Sequence, residues 1–136
     1  MIIVLDTTAA VEIVLNREKA QTIQNILKDA EWVISVDLFV SEVNNVFWKY
    51  YNFENMPIDI CKKCIDRAIK IIDNFESSIN LYEEAFSLAC QINHPVYDAL
   101  YLVCARRKDA SLITLDKKMN YFAKKLSIKI KNLTNL

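Results

Sequence analysis

The chain has 136 residues with 17 Lys or Arg and 17 Asp or Glu, so its formal net charge is zero, and 53% of its residues are hydrophobic. This length and composition predict one globular domain over residues 1–136. Glycine is absent, which excludes the Walker phosphate loop and the GxGxxG dinucleotide-binding turn, because both motifs require glycine.

Segments with strand character alternate with helical segments along the chain. The predicted strands are MIIVLD (1–6), WVISVD (32–37), KIID (70–73), SLITLD (111–116) and SIKIKNL (127–133). The predicted helices cover 8–16, 18–30, 38–51, 56–70, 78–93, 94–109 and 117–126. This alternation predicts an α/β fold, a three-layer α/β/α sandwich around a central parallel sheet of about five strands. The last strand alternates cleanly, as an edge strand does, and Asp37 is expected to cap the third helix.

No targeting segment is apparent, since the start lacks a positively charged region and Asp6 interrupts the first apolar run. No stretch approaches the ~20 apolar residues of a membrane span, so we expect a cytoplasmic protein without membrane contact. The four cysteines are expected to be reduced there. The pair Cys61 and Cys64 has CxxC spacing, but it lies in a helical stretch without a second pair. Buried structural thiols are therefore favoured over a zinc or redox site.

Two predicted strands end in an acid, Asp6 and Asp116. Ligands of open parallel sheets bind at the carboxyl ends of the strands, so both carboxylates are placed for chemistry. The competing interpretation is that Asp is simply common where strands become loops.

Two further acids lie on predicted helices. Glu42 shares a helical stripe with Leu38 and Val46, beside the apolar face, and a half-buried Glu needs a partner. Asp98 lies in the first turn of its helix among apolar neighbours, where it either serves a site or complements the helix dipole. Four carboxylates converging on one crevice repel each other unless a cation lies between them, and an all-oxygen ligand set favours Mg²⁺ or Mn²⁺. Such an ion supports hydrolysis of a phosphodiester bond.

The segments IVLDTTAAVEIVL, SEVNNVFWKYY and PVYDALYLVCARRKDASLITLDKKM resemble the successive motifs of PIN-domain nucleases. The resemblance is closer to the VapC-type toxins of type II toxin–antitoxin pairs, and it runs from end to end of the chain. The combination of YDALYLxxA with a following LxTxD is specific, whereas a single strand-ending Asp is not.

This resemblance implies an endoribonuclease that uses Mg²⁺, with Mn²⁺ as a possible substitute. The family's metal-binding acids match Asp6, Glu42, Asp98 and Asp116. The hydroxyl two residues before the last acid matches Thr114. A small antitoxin protein and a homodimer are the partners that the resemblance implies, with RNA as the substrate.

Thr7 matches the small hydroxyl residue that follows the first acid in that family, and we expect it near the substrate. His94 precedes Pro95 in a predicted loop. We interpret it as a loop residue near the site, since the mechanism needs no general base there.

Charge is unevenly distributed along the chain. From Ala105 onwards nine Lys or Arg face two acids, whereas the first 104 residues hold eight against fifteen, so the two parts carry +7 and −7. This asymmetry indicates a basic contact surface for RNA beside an acidic site. Lys117 and Lys118 follow Asp116 directly and are the foremost substrate-binding candidates. The others are Arg106, Arg107, Lys124 and Lys125, and solvated helix faces are the alternative interpretation.

The third helix and the turn after it are rich in aromatic residues, which are expected either in the core or at the interfaces with partners. These residues are Phe39, Phe47, Trp48, Tyr50, Tyr51 and Phe53. Two other functions remain open within the same fold: a stand-alone PIN nuclease and a non-catalytic RNA-binding subunit. A haloacid-dehalogenase-type phosphohydrolase is disfavoured, because that family needs an Asp where Thr8 stands.

Overall fold

The computed structural model describes residues 1–134. In this part of the chain four parallel strands form one sheet in the order β3–β2–β1–β4. The elements in chain order are β1 Ile2–Leu5, α1 Thr7–Val14, α2 Ala20–Lys28, β2 Trp32–Val36, α3 Leu38–Glu54, α4 Ile58–Ile71, β3 Asn74–Glu76, a 3-10 turn Ser78–Asn80, α5 Tyr82–Ile92, α6 Val96–Arg107, β4 Ser111–Ile113 and α7 Lys117–Lys125. The predicted α/β class with a central parallel sheet is confirmed.

Strand β1 lies in the middle of the sheet, between β2 and β4, with Ile3 opposite Val33 on one side and Ser111 on the other. Its residues Ile3, Val4 and Leu5 are fully buried. A central parallel strand is covered on both faces, which explains its unbroken aliphatic sequence.

Two helical layers bury the two faces of the sheet. Val4 packs into a core with α5, α6 and α7, whereas Ile3 and Leu5 pack into a second core with α1, α3 and α4. Successive strand residues point to opposite faces, so β1 contributes to both cores. The C-terminal part of helix α6 lies deep in the core, since every residue from Ala99 to Ala105 is buried.

Asparagine takes the place of glycine at several turns. Asn16, Asn55 and Asn93 have φ values of 50°, 56° and 53°, and the last two end helices α3 and α5. Asp109 and Ser127 also have positive φ. Asn and Asp tolerate this left-handed region better than other residues with a side chain.

Two strand predictions were wrong in detail. The apolar run 70–73 belongs to the end of α4 and the following loop, and β3 is the shorter, more polar Asn74–Glu76. In the segment 127–133, Ile130 forms a single parallel bridge with Leu112 rather than a fifth strand. The amide of Leu112 donates to Lys129 O, and the amide of Lys131 donates to Leu112 O. The edge of β4 is thus covered at one residue.

The prediction that Asp37 caps α3 was wrong for its side chain. Asp37 is the residue before the helix, but its carboxylate makes no hydrogen bond to an α3 amide. It accepts instead from the backbone amide of Ser78, at 3.1 Å, and from the Ser78 hydroxyl. The carboxylate of Asp37 therefore connects the end of β2 to the turn after β3.

No helix within residues 1–134 is both long enough and apolar enough to cross a bilayer.

Candidate metal and nuclease site

The site lies where β1 and β4 end side by side. The two strands pair through Leu5 and Ile113, and the amide of Asp6 donates to Ile113 O at 3.2 Å. Asp6 follows β1 and Thr114 follows β4, so parallel pairing brings the two side chains together. Asp6 is 2% exposed and Thr114 is 3% exposed.

Three donors hold the Asp6 carboxylate. Its Oδ1 accepts from the Thr8 hydroxyl at 2.7 Å and from the backbone amide of Ala9 at 3.0 Å. Its Oδ2 accepts from the hydroxyl of Thr114. The bond from Ala9 makes Asp6 the N-cap of α1. The carboxylate is therefore fixed in orientation by both neighbouring elements.

Burial raises the pKa of Asp6 to about 6, because desolvation outweighs the hydrogen bonds from Thr114, Thr8 and Ala9 that lower it, and the charge of Glu42 raises it further. None of these influences is a lysine or an arginine. A buried carboxylate without a basic partner suits a bound cation, which compensates the charge that the protein leaves unpaired.

Glu42, on the second turn of α3, is held by two hydroxyls. Its Oε1 accepts from Tyr101 at 2.6 Å and from Thr7 at 3.1 Å, and those hydroxyl oxygens lie 3.2 Å apart. Thr7 directly follows Asp6, so this bond places Glu42 beside the first carboxylate. The partner that a half-buried Glu requires is thus a pair of hydroxyls.

Tyr101 is the principal site residue that our reading of the sequence missed. It is 2% exposed, and burial together with the neighbouring Glu42 raises the pKa of its hydroxyl above the ordinary value. The hydroxyl therefore acts as a proton donor to Glu42. Tyr101 follows Asp98 by three residues, and this spacing on a helix is the signal that reveals it.

Asp98 lies in the first turn of α6, half-buried, on the same side of the helix as Tyr101. Its Oδ2 lies 2.6 Å from Nε2 of His94. The His94 ring is 5.0 Å from the ring of Phe122, and the His94 amide donates to Ala89 O. His94 is therefore fixed against Asp98 rather than free in a loop.

Asp116 caps α7, since its Oδ1 accepts from the amides of Lys118 and Met119. The amide of Asp116 donates to the Thr114 hydroxyl at 3.0 Å, and the amide of Leu115 donates to the Thr8 hydroxyl at 2.9 Å. Thr114 therefore connects Asp116 to Asp6. The sequence motifs did not single out Thr8. Its hydroxyl also connects the segment after β1 to the segment after β4.

The structure forms two hydrogen-bonded groups, Asp6 with Thr8 and Thr114 and Glu42 with Thr7 and Tyr101, which are joined through the adjacent residues Asp6 and Thr7. Asp116 is connected to the first group through Thr114, whereas Asp98 is bonded to His94. Within residues 1–134, the structure contains no group of three or more Asp, Glu, His or Cys side chains that are close enough together to coordinate a metal ion. The carboxylates instead accept hydrogen bonds from protein donors.

The basic candidates differ in their availability. Arg106 and Arg107 both pair with Glu84, at 2.7 and 2.6 Å, so both guanidinium groups are already bound to a carboxylate and the three groups together carry one positive charge. Lys117 and Lys118 are exposed in the first turn of α7, immediately after Asp116. The side chains of Lys117 and Lys118 are therefore accessible to a substrate.

The cysteines are all free thiols. Cys61 and Cys64 are buried in the core beneath α4, as the structural interpretation requires, and Cys104 is buried in α6. Cys90, on α5, is exposed.

The aromatic residues of α3 divide between core and surface. Phe39 and Phe47 are fully buried, whereas Trp48, Tyr51 and Phe53 are 54%, 52% and 66% exposed. The rings of Trp48 and Phe53 lie 5.9 Å apart. These three exposed residues form an aromatic patch at the end of α3.

Comparisons with known proteins agree with this architecture. Ribonuclease VapC3 of Pyrobaculum aerophilum is 25% identical over 125 residues, which is 88% of this chain and 92% of that protein. The crystal structure of PAE2754 from the same organism has a TM-score of 0.68 at 18% identity, covering 86% of this chain and 81% of that one. The crystal structure of VapBC2 from Rickettsia felis, bound to a DNA fragment from their promoter, has the same score at 15% identity, covering 97% and 98% of the two chains. FitAcB from Neisseria gonorrhoeae has a TM-score of 0.55 at 16% identity and covers 98% of this chain and 99% of its own.

The family model of the PIN domain matches residues 3–125. This match begins in β1, before Asp6, and ends with α7, after Asp116, so it includes all four acids. The resemblance seen in the sequence motifs is confirmed. The chain belongs to the PIN domain family.

Proposed function

We propose that this chain is a Mg²⁺-dependent endoribonuclease that hydrolyses RNA phosphodiester bonds. One observation carries the proposal: Asp6 is buried at the carboxyl end of the central strand with no basic partner among the groups that shift its pKa. In a PIN domain with a VapC ribonuclease among its relatives, such a carboxylate is suited to a metal ion.

The donor set fits Mg²⁺ or Mn²⁺. The residues that would hold the ion are Asp6, Glu42, Asp98 and Asp116, which offer only oxygen ligands. When bound, such an ion supplies charge neutralisation at the phosphate and an acidified water. Hydroxyl donors in the protein already fix the orientation of the ligands, as outer-shell partners of metal sites do.

The chain's own residues have distinct parts in this proposal. Thr8 and Thr114 hold Asp6 between β1 and α1. Thr7 and Tyr101 hold Glu42 beside it. Lys117 and Lys118, exposed just beyond Asp116, are proposed to contact the phosphates of the RNA entering the site.

We also propose that the chain is the toxin of a type II toxin–antitoxin pair, a cytoplasmic protein with a small antitoxin as its partner, and that it forms a homodimer. Structural likeness to VapBC2 supports this proposal. The aromatic patch of Trp48, Tyr51 and Phe53 offers an apolar surface for one of these contacts.

Replacing Asp98 by Asn tests the nuclease proposal. The substitution keeps the shape of the side chain and removes one charge from the cation site, so RNA cleavage in Mg²⁺ should fall by orders of magnitude. The control is Asp59→Asn, which removes an acid from the first turn of α4 and should leave cleavage unchanged. Full cleavage by Asp98→Asn would refute the site.

The toxin proposal has its own test. A small protein encoded beside this chain should co-purify with it and suppress its RNA cleavage. Cleavage in the absence of such a partner would indicate a stand-alone PIN nuclease. RNA binding without cleavage would indicate the non-catalytic alternative.

A further inference from the structure

A groove of about 620 Å³ opens beside the acidic site, on the far side of Thr114. It runs between α7 and the segment that follows Ile128, and Lys19 lies at its other wall. Thr114 belongs to both places, because its side chain bonds to Asp6 and its residue lines the groove. Thr114 therefore lies between the groove and Asp6.

Three lysines from separate parts of the chain line this groove: Lys19 before α2, Lys124 in the last turn of α7, and Lys131 after the bridge to β4. No acid is among the lining residues. Within residues 1–134 none of these three ammonium groups forms an ion pair. Lys108 and Lys129, by contrast, pair with Glu76 and Asp109.

The three positions are held in place by the fold. The backbone amide of Lys19 donates to Glu12 at 3.0 Å, and the amide of Lys131 donates to Leu112 of β4. Asn120 of α7 donates from its side chain to Thr114 O at 3.0 Å, so the floor of the groove is tied to α7. The backbone positions that carry these lysines are therefore fixed around one concave surface.

We propose that this groove binds the sugar–phosphate backbone of single-stranded RNA, with Lys19, Lys124 and Lys131 contacting its phosphates. The proposal rests on the proposed nuclease function and adds the path that the substrate takes to the site. Binding of phosphates by an unpaired, positively charged groove is the mode that single-strand-binding proteins use.

Two features favour a single strand and backbone contacts. Asp6 and Thr114 are recessed, so the strand must bend to bring a phosphate to them, which a flexible single strand does more easily than a duplex. The lining holds no aromatic residue on which a base stacks. The groove therefore contributes affinity without distinguishing one base from another.

The test uses the Asp98→Asn protein, which retains the groove, and fluorescent single-stranded RNAs of two unrelated sequences. Binding is titrated in Mg²⁺ at several salt concentrations, with Lys19, Lys124 and Lys131 intact or all changed to Gln. Each lost contact flattens the log–log salt dependence by about 0.7 for a single strand, so the triple variant should be about 2 units flatter. Both RNAs should lose affinity by the same factor.

The matched control changes Lys62, Lys63 and Lys70 to Gln, which removes the same charge from exposed positions of α4. This variant should keep the salt slope of the parent. Melting temperatures of both triple variants should match the parent, since none of the six side chains forms an ion pair with another residue in the range 1–134. In the protein with Asp98 intact, the groove variant should raise KM for RNA and leave kcat nearly unchanged.

If the groove variant behaves like the α4 control while the wild type cleaves RNA, the groove proposal is wrong and the nuclease proposal stands. If the wild type cleaves no RNA but binding still depends on the three lysines, the nuclease proposal is wrong and the groove proposal stands. If RNA binding is unaffected and an acidic peptide loses affinity instead, the groove holds a protein segment and our assignment to RNA is overturned.

Discussion

Asp6 is the residue on which the chemistry of this site depends. It is buried, it accepts three hydrogen bonds, and its pKa is nevertheless raised to about 6. Burial of the ionised Asp6 carboxylate at the end of the central strand is therefore electrostatically unfavourable in the metal-free protein. Thr8 and Thr114 fix the carboxylate without neutralising it, which leaves its charge for an ion to compensate.

This raised pKa predicts a pH dependence of stability in the metal-free protein. In the folded state Asp6 keeps its proton up to about pH 6, whereas in the unfolded chain it loses it near pH 4. The folded state binds more protons at Asp6 between these values, so the contribution of Asp6 to stability is greatest below pH 4 and falls as pH rises through 6. The expected loss is up to about 3 kcal/mol.

Unfolding in chelator, followed from pH 4 to 8, measures this effect against Asp6→Asn. The difference in unfolding free energy between the two proteins should change across this range and become constant above pH 7. Parallel curves would show that Asp6 does not titrate as the structure indicates. Addition of Mg²⁺ at pH 7 should stabilise the wild type more than the variant.

His94 provides a second test at a single residue. Its ring holds Oδ2 of Asp98 and packs against Phe122. His94→Leu keeps the apolar packing and removes the hydrogen bond, so we expect Mg²⁺ affinity to fall about tenfold or more. His94→Gln, which retains a donor, should restore most of it.

Calorimetric titration with Mg²⁺ measures this difference without RNA. Phe122→Leu is the control, because it alters the ring contact and spares the bond to Asp98. Equal Mg²⁺ affinities in the wild type and His94→Leu would show that His94 has no part in positioning Asp98.

Helix α6 shows how one element serves both core and site. Its residues from Ala99 to Ala105 are buried, and the same helix carries Asp98 and donates from the Tyr101 hydroxyl to Glu42. Because this helix is fixed on all sides, the position of Asp98 is set by core packing.

Tyr101→Phe tests this coupling. The change removes the donor to Glu42 and keeps the ring, so the free energy of unfolding in chelator should fall by about 1.5–3 kcal/mol, the range for a hydrogen bond to a charged group. Tyr97→Phe removes a hydroxyl from a 60%-exposed position on the same helix and should cost almost nothing. Urea unfolding measures both, and equal losses would contradict this account.

The elements also show what a single sequence can predict. The end of β1 at Asp6 was predictable because a buried aliphatic run stops there, whereas β4 ends at Ile113, three residues before Asp116, which caps α7 instead. β3 was misplaced because residues 70–73 are more apolar than the true strand, in which Asn74 is exposed. The pairing of Thr7 with Tyr101 joins residues 94 positions apart, and no local pattern contains that information.

In the whole molecule, the lysine-lined groove and the aromatic patch occupy different surfaces. The lysines of the groove lie on one side of Thr114, and the aromatic patch of Trp48, Tyr51 and Phe53 lies at the end of α3. The molecule therefore has separate surfaces suited to a nucleic acid and to a protein partner.

If the aromatic patch is the homodimer interface, removing it should give a monomer. We expect the wild type to sediment as a dimer and Trp48→Ser/Phe53→Ser to sediment as a monomer, because interfaces of this kind depend on a few buried aromatic side chains. Phe86→Ser is the control, since Phe86 is as exposed as Phe53, at 66%, but lies on α5. A dimer of unchanged stability in the double variant would place the interface elsewhere.

We propose that an all-oxygen carboxylate site cleaves RNA with a divalent ion, so removal of that ion should abolish cleavage. The most direct measurement is single-turnover cleavage of RNA by the wild-type protein after chelation, with increasing Mg²⁺, Mn²⁺ or Ca²⁺ added back. We predict no cleavage in chelator, full recovery in Mg²⁺ or Mn²⁺, and poor recovery in Ca²⁺, which is larger and tolerates looser geometry. Cleavage that persists in chelator, or that only Zn²⁺ restores, would contradict the account.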